Sequence, residues 1–409
     1  MQFKMNSLEK KWVLYDVANS AFTLLVSTIM PIYFNFIASN ANISSVDYLA
    51  YWGYAVSAST LLVAFLGPVL GTFSDLKGRK IIFFMITVLI GAIGCVVLGM
   101  LQSWLWFLLL FVLAKSAYSL SLVFYDAMLV DVTTDERMDM VSANGFAWGY
   151  IGSCIPFIAC LVLVLMYDKI GLTMSMAMMI AFAIIAIWWI VLSLPLMKAY
   201  KQVHYIEPQH HIFKDTWIRL GHIFSELRHN KKTFLFLVSF FFYIDGVYTI
   251  IDMATAYGSA LGFDSTSLLL ALLLTQIVAF PAAITFGKLS SKIENTKLIF
   301  FCICAYLCIA LYAVQLDQQY EFWILAFCVG LFQGAIQSLS RSYFARLIPP
   351  EKSGEYFGIY DICGKGAAFL GTFVVSFVSQ LTNSMNLGVG AIAIMFIIGL
   401  FFFYKTTKA

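Results

Sequence analysis

Of the 409 residues, 61% are hydrophobic and only 11% are Asp, Glu, Lys or Arg, with a mean hydropathy of +0.87. Soluble domains carry about 25% charged residues, so no water-soluble core hides this much apolar surface and the solvent of the chain is lipid. A soluble enzyme, a secreted disulfide scaffold, a disordered chain and a collagen-like chain are excluded, and a net charge of +3 is too small to point to nucleic acid.

A spanning helix needs about 20 apolar residues. Apolar runs predict twelve, over roughly 14–38, 48–72, 81–101, 104–130, 141–166 and 173–197, then 233–260, 266–289, 298–316, 321–345, 355–381 and 385–404. None has the short alternating pattern of a barrel strand. The first run is too long for the core of a signal peptide and has no small-x-small exit, so it is expected to stay as an anchor. The eight cysteines all sit within apolar runs and imply no disulfide framework. Cys302 and Cys304 lack the partners that a metal site requires.

Charge orients the chain. Of 25 Lys and Arg, 22 fall before the first span, after the last, or in and at the edges of alternate connections, among them Lys77, Arg79 and Lys80 after the second span, Arg137 after the fourth, seven in the central linker, and Lys288, Lys292 and Lys297 around the end of the eighth. The opposite connections hold only Lys169, and Lys115 and Lys365 lie within spans. By the positive-inside rule both termini are expected in the cytoplasm. The fold class is therefore all-α integral membrane. Residues 1–197 form an N-terminal six-helix bundle, 198–232 a cytoplasmic linker and 233–409 a C-terminal six-helix bundle. In the linker, Phe213, Trp217, Leu220, Phe224 and Leu227 recur at helical spacing and predict an amphipathic helix.

Two sets of six suggest a duplicated transporter with its site between the halves. Weak internal similarity agrees: the segment Asp131–Arg137 resembles Arg346–Lys352, Gly149 then matches Gly364 at the same offset, and Tyr15-Asp16 echoes Tyr243-Ile-Asp245.

The second-to-third connection reads Gly71-Thr-Phe-Ser-Asp75-Leu-Lys-Gly78-Arg79-Lys80. It resembles the signature loop of the major facilitator superfamily. Gly71 and Gly78 permit a close helix approach and a tight turn. Asp75 is expected to face a helix N-terminus near Gly354, whose dipole favours an anion. Arg79 is expected to pair with Asp126 or Asp131, making a latch that breaks as the halves rock. The matching loop, Gly287-Lys-Leu-Ser-Ser291-Lys, lacks the acid, so a strong latch is expected only once.

Four further segments narrow the likeness: Tyr15–Phe22, Tyr243–Val247, Gln333–Ser342 and Glu355–Gly366. They are similar to the vacuole-effluxer-like family within that superfamily, which includes the yeast autophagy-related vacuolar amino-acid effluxer and bacterial members. The resemblance spans essentially the whole chain. It implies a twelve-helix, 6+6 pseudo-symmetric fold and export of a small organic solute, with amino acids as one class. By the same analogy the chain is expected to be a monomer in a bacterial plasma membrane. Ser291 departs from the family, which often has an acid there.

Ionisable residues within the bilayer cost roughly 2.5–3.5 kcal/mol each and need partners or a wet cavity. Asp245, near the middle of the seventh span, is a candidate proton carrier or a member of a permanent ion pair. Asp252, two turns on, is a second relay stop or vestibule wall. Lys115 binds a substrate carboxylate or neutralises Asp245. Asp361 and Lys365, four apart, pair with each other or act as a gate. Asp16 and Asn19 contact substrate or pair helices. Gln333, Gln337 and Arg341 make one polar stripe, as a cavity wall would. Among the aromatic residues, most pack or anchor at the interface, with Tyr360 a candidate for the cavity. Gly145, Gly149 and Gly152, with Pro156 beyond, fit close helix packing as well as a partial antiporter signature.

Gly358–Gly366 has the wrong spacing for a phosphate loop, and no nucleophile elbow or zinc-protease motif is present. No cofactor and no enzymatic activity are expected. Three readings stay open: a solute exporter, with or without protons, a cation-coupled importer of sugars or amino acids, and a lipid or lysolipid translocator.

Overall fold

The computed structural model describes residues 4–43, 45–207, 226–227 and 229–409; the side chains of Asp252 and Lys365 are among a few that lie outside that description. Among the described residues twelve long helices, two of them interrupted, follow in order. They are α1 (Ser7–Asn40), α2 (Ser45–Ser74), α3 (Lys80–Leu98), α4 (Trp104–Ala127), α5 (Met138–Leu165) and α6 (Met174–Ala199). The second six are α7 (Lys231–Ala260), α8 (Ser265–Leu289), α9 (Asn295–Ala313), α10 (Gln319–Leu347), α11 (Ser353–Asp361 and Ala367–Thr382) and α12 (Met385–Gly390 and Ile392–Lys408). Eleven of them, among the described residues, are long and apolar enough to cross a membrane. In α11 the apolar stretch is broken by a π-turn at Ile362–Gly366, and a second π-turn, Leu25–Ile29, lies in α1. Such turns insert one residue into the ladder and redirect the helix beyond them.

Local chemistry sets the ends. Asn6 and Glu9 form a capping box at the start of α1, Thr173 caps α6 and Asp264 caps α8. Pro68, Pro156, Pro195 and Pro281 lie inside helices, where lipid leaves the backbone no alternative to internal pairing. The apolar residues outside the core face outward: Ile82, Ile86, Leu89 and Ile93 make one exposed stripe along α3. Such a stripe is at home against lipid tails.

A similar hydrogen bond joins the corresponding helices of each half. The Tyr15 hydroxyl meets Ser121 Oγ at 2.6 Å, joining α1 to α4, and the Tyr243 hydroxyl meets Ser340 Oγ at 2.6 Å, joining α7 to α10. Of the linker, residues 200–207 run along the N-terminal half, and Leu76 and Ile206 form a parallel bridge. Leu227 is buried; Phe213, Trp217, Leu220 and Phe224 lie outside the described residues.

Candidate functional site

The end of the bundle rich in Lys and Arg, here called the basic end, carries three sets of contacts between the first six helices and the last six.

The first is the signature loop. α2 and α11 cross so closely that a Cβ on Gly71 would lie 2.2 Å from the Gly354 carbonyl oxygen. This brings the buried Asp75 carboxylate to the N-terminus of α11, where it accepts from the Gly354 amide at 2.8 Å and the Glu355 amide at 2.9 Å. The positive end of the α11 dipole thus faces the Asp75 carboxylate. Gly78 turns the chain at φ +72°. That turn corrects one expectation: Arg79 points to solvent, and Lys80 is the cation that turns inward. Lys80 Nζ donates to Ser353 Oγ at 2.7 Å and sits 3.7 Å from Asp75 and 3.8 Å from Asp131. Asp126 takes no part in this cluster. Burial pushes the Asp75 carboxyl up to about 7, against the opposing pull of Lys80 and of the Glu355 and Gly354 amides.

The linker completes this latch, which the sequence did not disclose. Asp131 accepts from the Val203 and His204 amides at 3.2 and 2.9 Å, from the Tyr200 hydroxyl, and lies 2.9 Å from His204 Nδ1. Gln202 Nε2 donates to the Ser74 carbonyl at 3.2 Å.

The second set is centred on Arg341. Its guanidinium leaves α10, crosses to the N-terminal half and is 3% exposed. Nη1 donates to Asp126 Oδ1 at 3.0 Å, Nη2 to Asp16 Oδ2 at 3.3 Å and to the Ser142 carbonyl at 3.0 Å, and Nε to Ser142 Oγ at 2.9 Å. Trp12 and Phe146 cover its faces, with ring centroids 4.6 and 4.3 Å from Cζ. Asp16 also accepts from the Tyr125 hydroxyl at 2.7 Å, and Asn19 Nδ2 donates to the Tyr15 carbonyl at 2.9 Å. A Cβ on Gly145 would lie 2.3 Å from Asp16 Oδ2 and 3.0 Å from Arg341 Nη2, so only glycine leaves room for this pair against α5. Gly149 and Gly152 likewise seat α1, against Ser20 and Val17. The glycine run of α5 is thus a packing face.

The third set lies at the start of α5. Asp139 Oδ1 accepts from Asn295 Nδ2 at 2.6 Å, from Ser342 Oγ at 2.5 Å and from Arg346. The acid missing at Ser291 is therefore replaced from the other half, and the expectation of a single strong latch is corrected. Asp139 and Asn295 precede or open their helices, and neither lies in a motif, so spacing gave no signal for them.

The remaining expected residues spread along the bundle. Gln333 is buried and Gln337 half-buried on the Arg341 stripe. Tyr360 stacks between Phe240 and Phe344, centroids 4.1 and 4.8 Å away, which places its ring in the packing of the C-terminal half rather than free in a cavity. Lys115 is half-buried with Nζ 5.9 Å from the Phe111 centroid. Asp361 is half-buried and ends the first segment of α11. Asp245 is fully buried; its Oδ1 accepts from the Gly371 amide at 3.0 Å and Thr249 Oγ1 lies 3.4 Å away. The expectations for the side chains of Asp252 and Lys365 lie outside the described residues.

Comparison with known proteins now decides the family. Residues 130–408 match the model described as "Vacuole effluxer Atg22 like". The chain belongs to the Atg22-like vacuole effluxer family. It is 40% identical over 405 residues to the uncharacterized MFS-type transporter YxiO of Bacillus subtilis, covering 98% of this chain and 95% of that one. It is 24% identical over 287 residues to autophagy-related protein 22 of Coccidioides immitis, covering 63% of this chain and 47% of that protein. Among solved structures, a bacterial homologue of the iron transporter ferroportin in an outward-facing state aligns with TM-score 0.72 at 14% identity, over 98% of this chain and 100% of that one. The transporter FucP in an outward conformation aligns with TM-score 0.72 at 12% identity, over 98% of each. These Atg22-like and MFS relatives make the chain a secondary transporter of the major facilitator fold, not an enzyme.

Proposed function

We propose that this Atg22-like transporter exports a small organic solute, amino acids first among the classes to test, by proton-coupled alternating access across the plasma membrane, with its basic end in the cytoplasm. The observation that carries the reading is the seat of Arg341. A C-terminal-half cation is bound by two carboxylates of the N-terminal half, Asp16 and Asp126, at the end where the two halves also meet through Asp75 and Asp139. Buried charges of this kind are tolerable only while paired. Parting the halves at this end therefore frees one cation and two anions toward the mid-bundle at once. A solute carrying both charges would then offer replacement partners. Export is supported by the family's description as effluxers.

The test is flux in proteoliposomes loaded with labelled amino acids and subjected to a pH gradient of either sign. Gradient-dependent movement of any amino acid supports the reading. No movement of amino acids by folded protein removes that class, and movement of sugars or lysolipids instead would favour an importer or a lipid translocator.

A further inference from the structure

Asp245 differs from the carboxylates that join the helices at the basic end. Asp16, Asp75, Asp126, Asp131 and Asp139 each meet a Lys or Arg within 4 Å or by a charged hydrogen bond. Asp245 lies wholly inside the C-terminal half, has no ion pair among the described residues, and its Oδ2 is buried with no hydrogen-bond partner. The segment of α11 packed against it, Ala367–Thr382, contains no ionisable residue. Among the described residues the ionisable side chains buried nearby in this half are Tyr306 and Cys302 from α9, Tyr343 from α10, Tyr360 from α11 and Tyr243 and Tyr257 on α7 itself, with Cys363 and Tyr248 half-buried; the side chain of Lys365 in the π-turn lies outside the described residues. None of these described side chains is a cation.

The other carboxylate oxygen grips backbone. Oδ1 accepts from the amide of Gly371, just beyond the π-turn of α11. The approach depends on glycine: a Cβ at 371 would lie 2.0 Å from Thr249 Oγ1 and 2.7 Å from Asp245 Oδ1. So α11 is held through its backbone at two points, by Asp75 from the N-terminal half at Gly354 and Glu355, and by Asp245 from its own half at Gly371, with the π-turn between them.

We propose that Asp245 is a proton-binding site, with the proton on its free oxygen, and that proton release is tied to movement of the Ala367–Thr382 segment of α11. The inference rests on the transporter reading above and deepens it. With no cation partner among the described residues, a bare charge at this buried position is very costly. With the proton on Oδ2, Oδ1 still accepts from Gly371 and the contact is neutral. Losing the proton leaves a charge that only water or a cation can stabilise, so release requires α11 to part from α7 and admit one of them. The π-turn is the place where the segment can move without disturbing the Asp75 latch.

The experiment uses full-length protein in lipid vesicles, in potassium buffer, and needs no solute. Infrared difference spectra over a pH series report protonated carboxyl groups. Distances between spin labels at Leu381 and Tyr320, both exposed, report the outer part of α11, in a background without the native cysteines. The expected result is a carboxylic-acid band that titrates in the unsubstituted protein and is lost in D245N, with a pH-driven change in the label distance that is also lost. G371A/T249A keeps the carboxyl but places a methyl 2.7 Å from Oδ1; it is expected to shift the band and uncouple the distance from pH, and it carries the test should D245N not fold. Absence of a band assignable to Asp245, a band moved by sodium rather than by protons, or a label distance independent of pH would overturn the proposal. Flux without these signals leaves the transporter reading intact; these signals without flux leave the site intact.

Discussion

Arg341 on α10 and Asp126 on α4 touch, and the two helices hold the same place in the two sets of six. The two residues stand 215 residues apart in sequence, the offset that also relates Asp131 to Arg346 and Gly149 to Gly364. Their side chains meet across the two halves at 3.0 Å, from Nη1 to Oδ1. Helices that correspond in the order of the two sets come together where the two bundles face each other. One set carries the cation and the other the anion, so the contact joins the two halves.

Removing that cation strands two acids. Arg341→Ala leaves Asp16 and Asp126 buried without it, and breaking a buried pair costs about 3–5 kcal/mol. Arg341→Lys is expected to restore little, because a single ammonium cannot reach Asp16, Asp126 and Ser142 as the planar fork does. Thermal unfolding in detergent should show both variants less stable, Arg341→Ala the more so. A Lys variant as stable as the unsubstituted protein would contradict this bridging of two carboxylates.

The glycine crossing makes a sharp contrast between two positions one turn apart. A Cβ on Gly71 would strike the Gly354 carbonyl oxygen at 2.2 Å, whereas a Cβ on Gly67 meets the Gly358 carbonyl oxygen at an ordinary 3.5 Å. Gly71→Ala should push α2 from α11 and lower transport at least roughly tenfold, equivalent to about 1.4 kcal/mol against the closed arrangement. Gly67→Ala should stay within about twofold on the same scale. Equal effects in a flux assay would contradict the contact.

The Asp75 latch is expected to respond to pH. In the closed arrangement its carboxyl titrates at about 7, above the ordinary 3.8 that a hydrated carboxyl would regain on opening. The closed arrangement therefore binds the proton more tightly, and closure takes one up. Acidification from about 7 toward 4 favours closure at the basic end, and the preference fades as pH rises through 7. Asp75→Asn should flatten this dependence, read as modification of a cysteine placed between the halves at that end. A dependence of opposite sign would show that the helix dipole and Lys80 outweigh burial.

The Asp139 contact is far enough from Arg341 in partners to act separately. Asp139→Ala should loosen the basic end by itself, and combined with Asp75→Ala the two effects should add, since no residue binds both acids. Strong non-additivity in the same cysteine assay would mean that the two contacts are one cooperative unit.

Much of this was legible before the structure. Hydropathy and the Lys and Arg bias are local signals, so the helices and the basic end follow from them. Asp75 and Gly354 could be paired because a helix N-terminus is a generic anion site. The choice between Arg79 and Lys80 could not be read, because the turn at Gly78 decides which of two adjacent cations faces inward. The stripe Gln333, Gln337, Arg341 marked a polar face of α10, yet the partners of Arg341, namely Asp16, Asp126 and Ser142, sit on three other helices, and only tertiary packing selects them. Tyr360 shows the converse: an aromatic in a motif, taken up by stacking against Phe240 and Phe344.

The most direct test of the central claim, that Arg341 holds the basic end shut, is a distance across that end. Spin labels at Arg79 and Glu351, both exposed and on opposite halves, would be measured in lipid vesicles with Arg341 intact and with Arg341→Ala. The account predicts a dominant short distance with Arg341 and a shift of the population to longer distances without it. Identical distance distributions would contradict it.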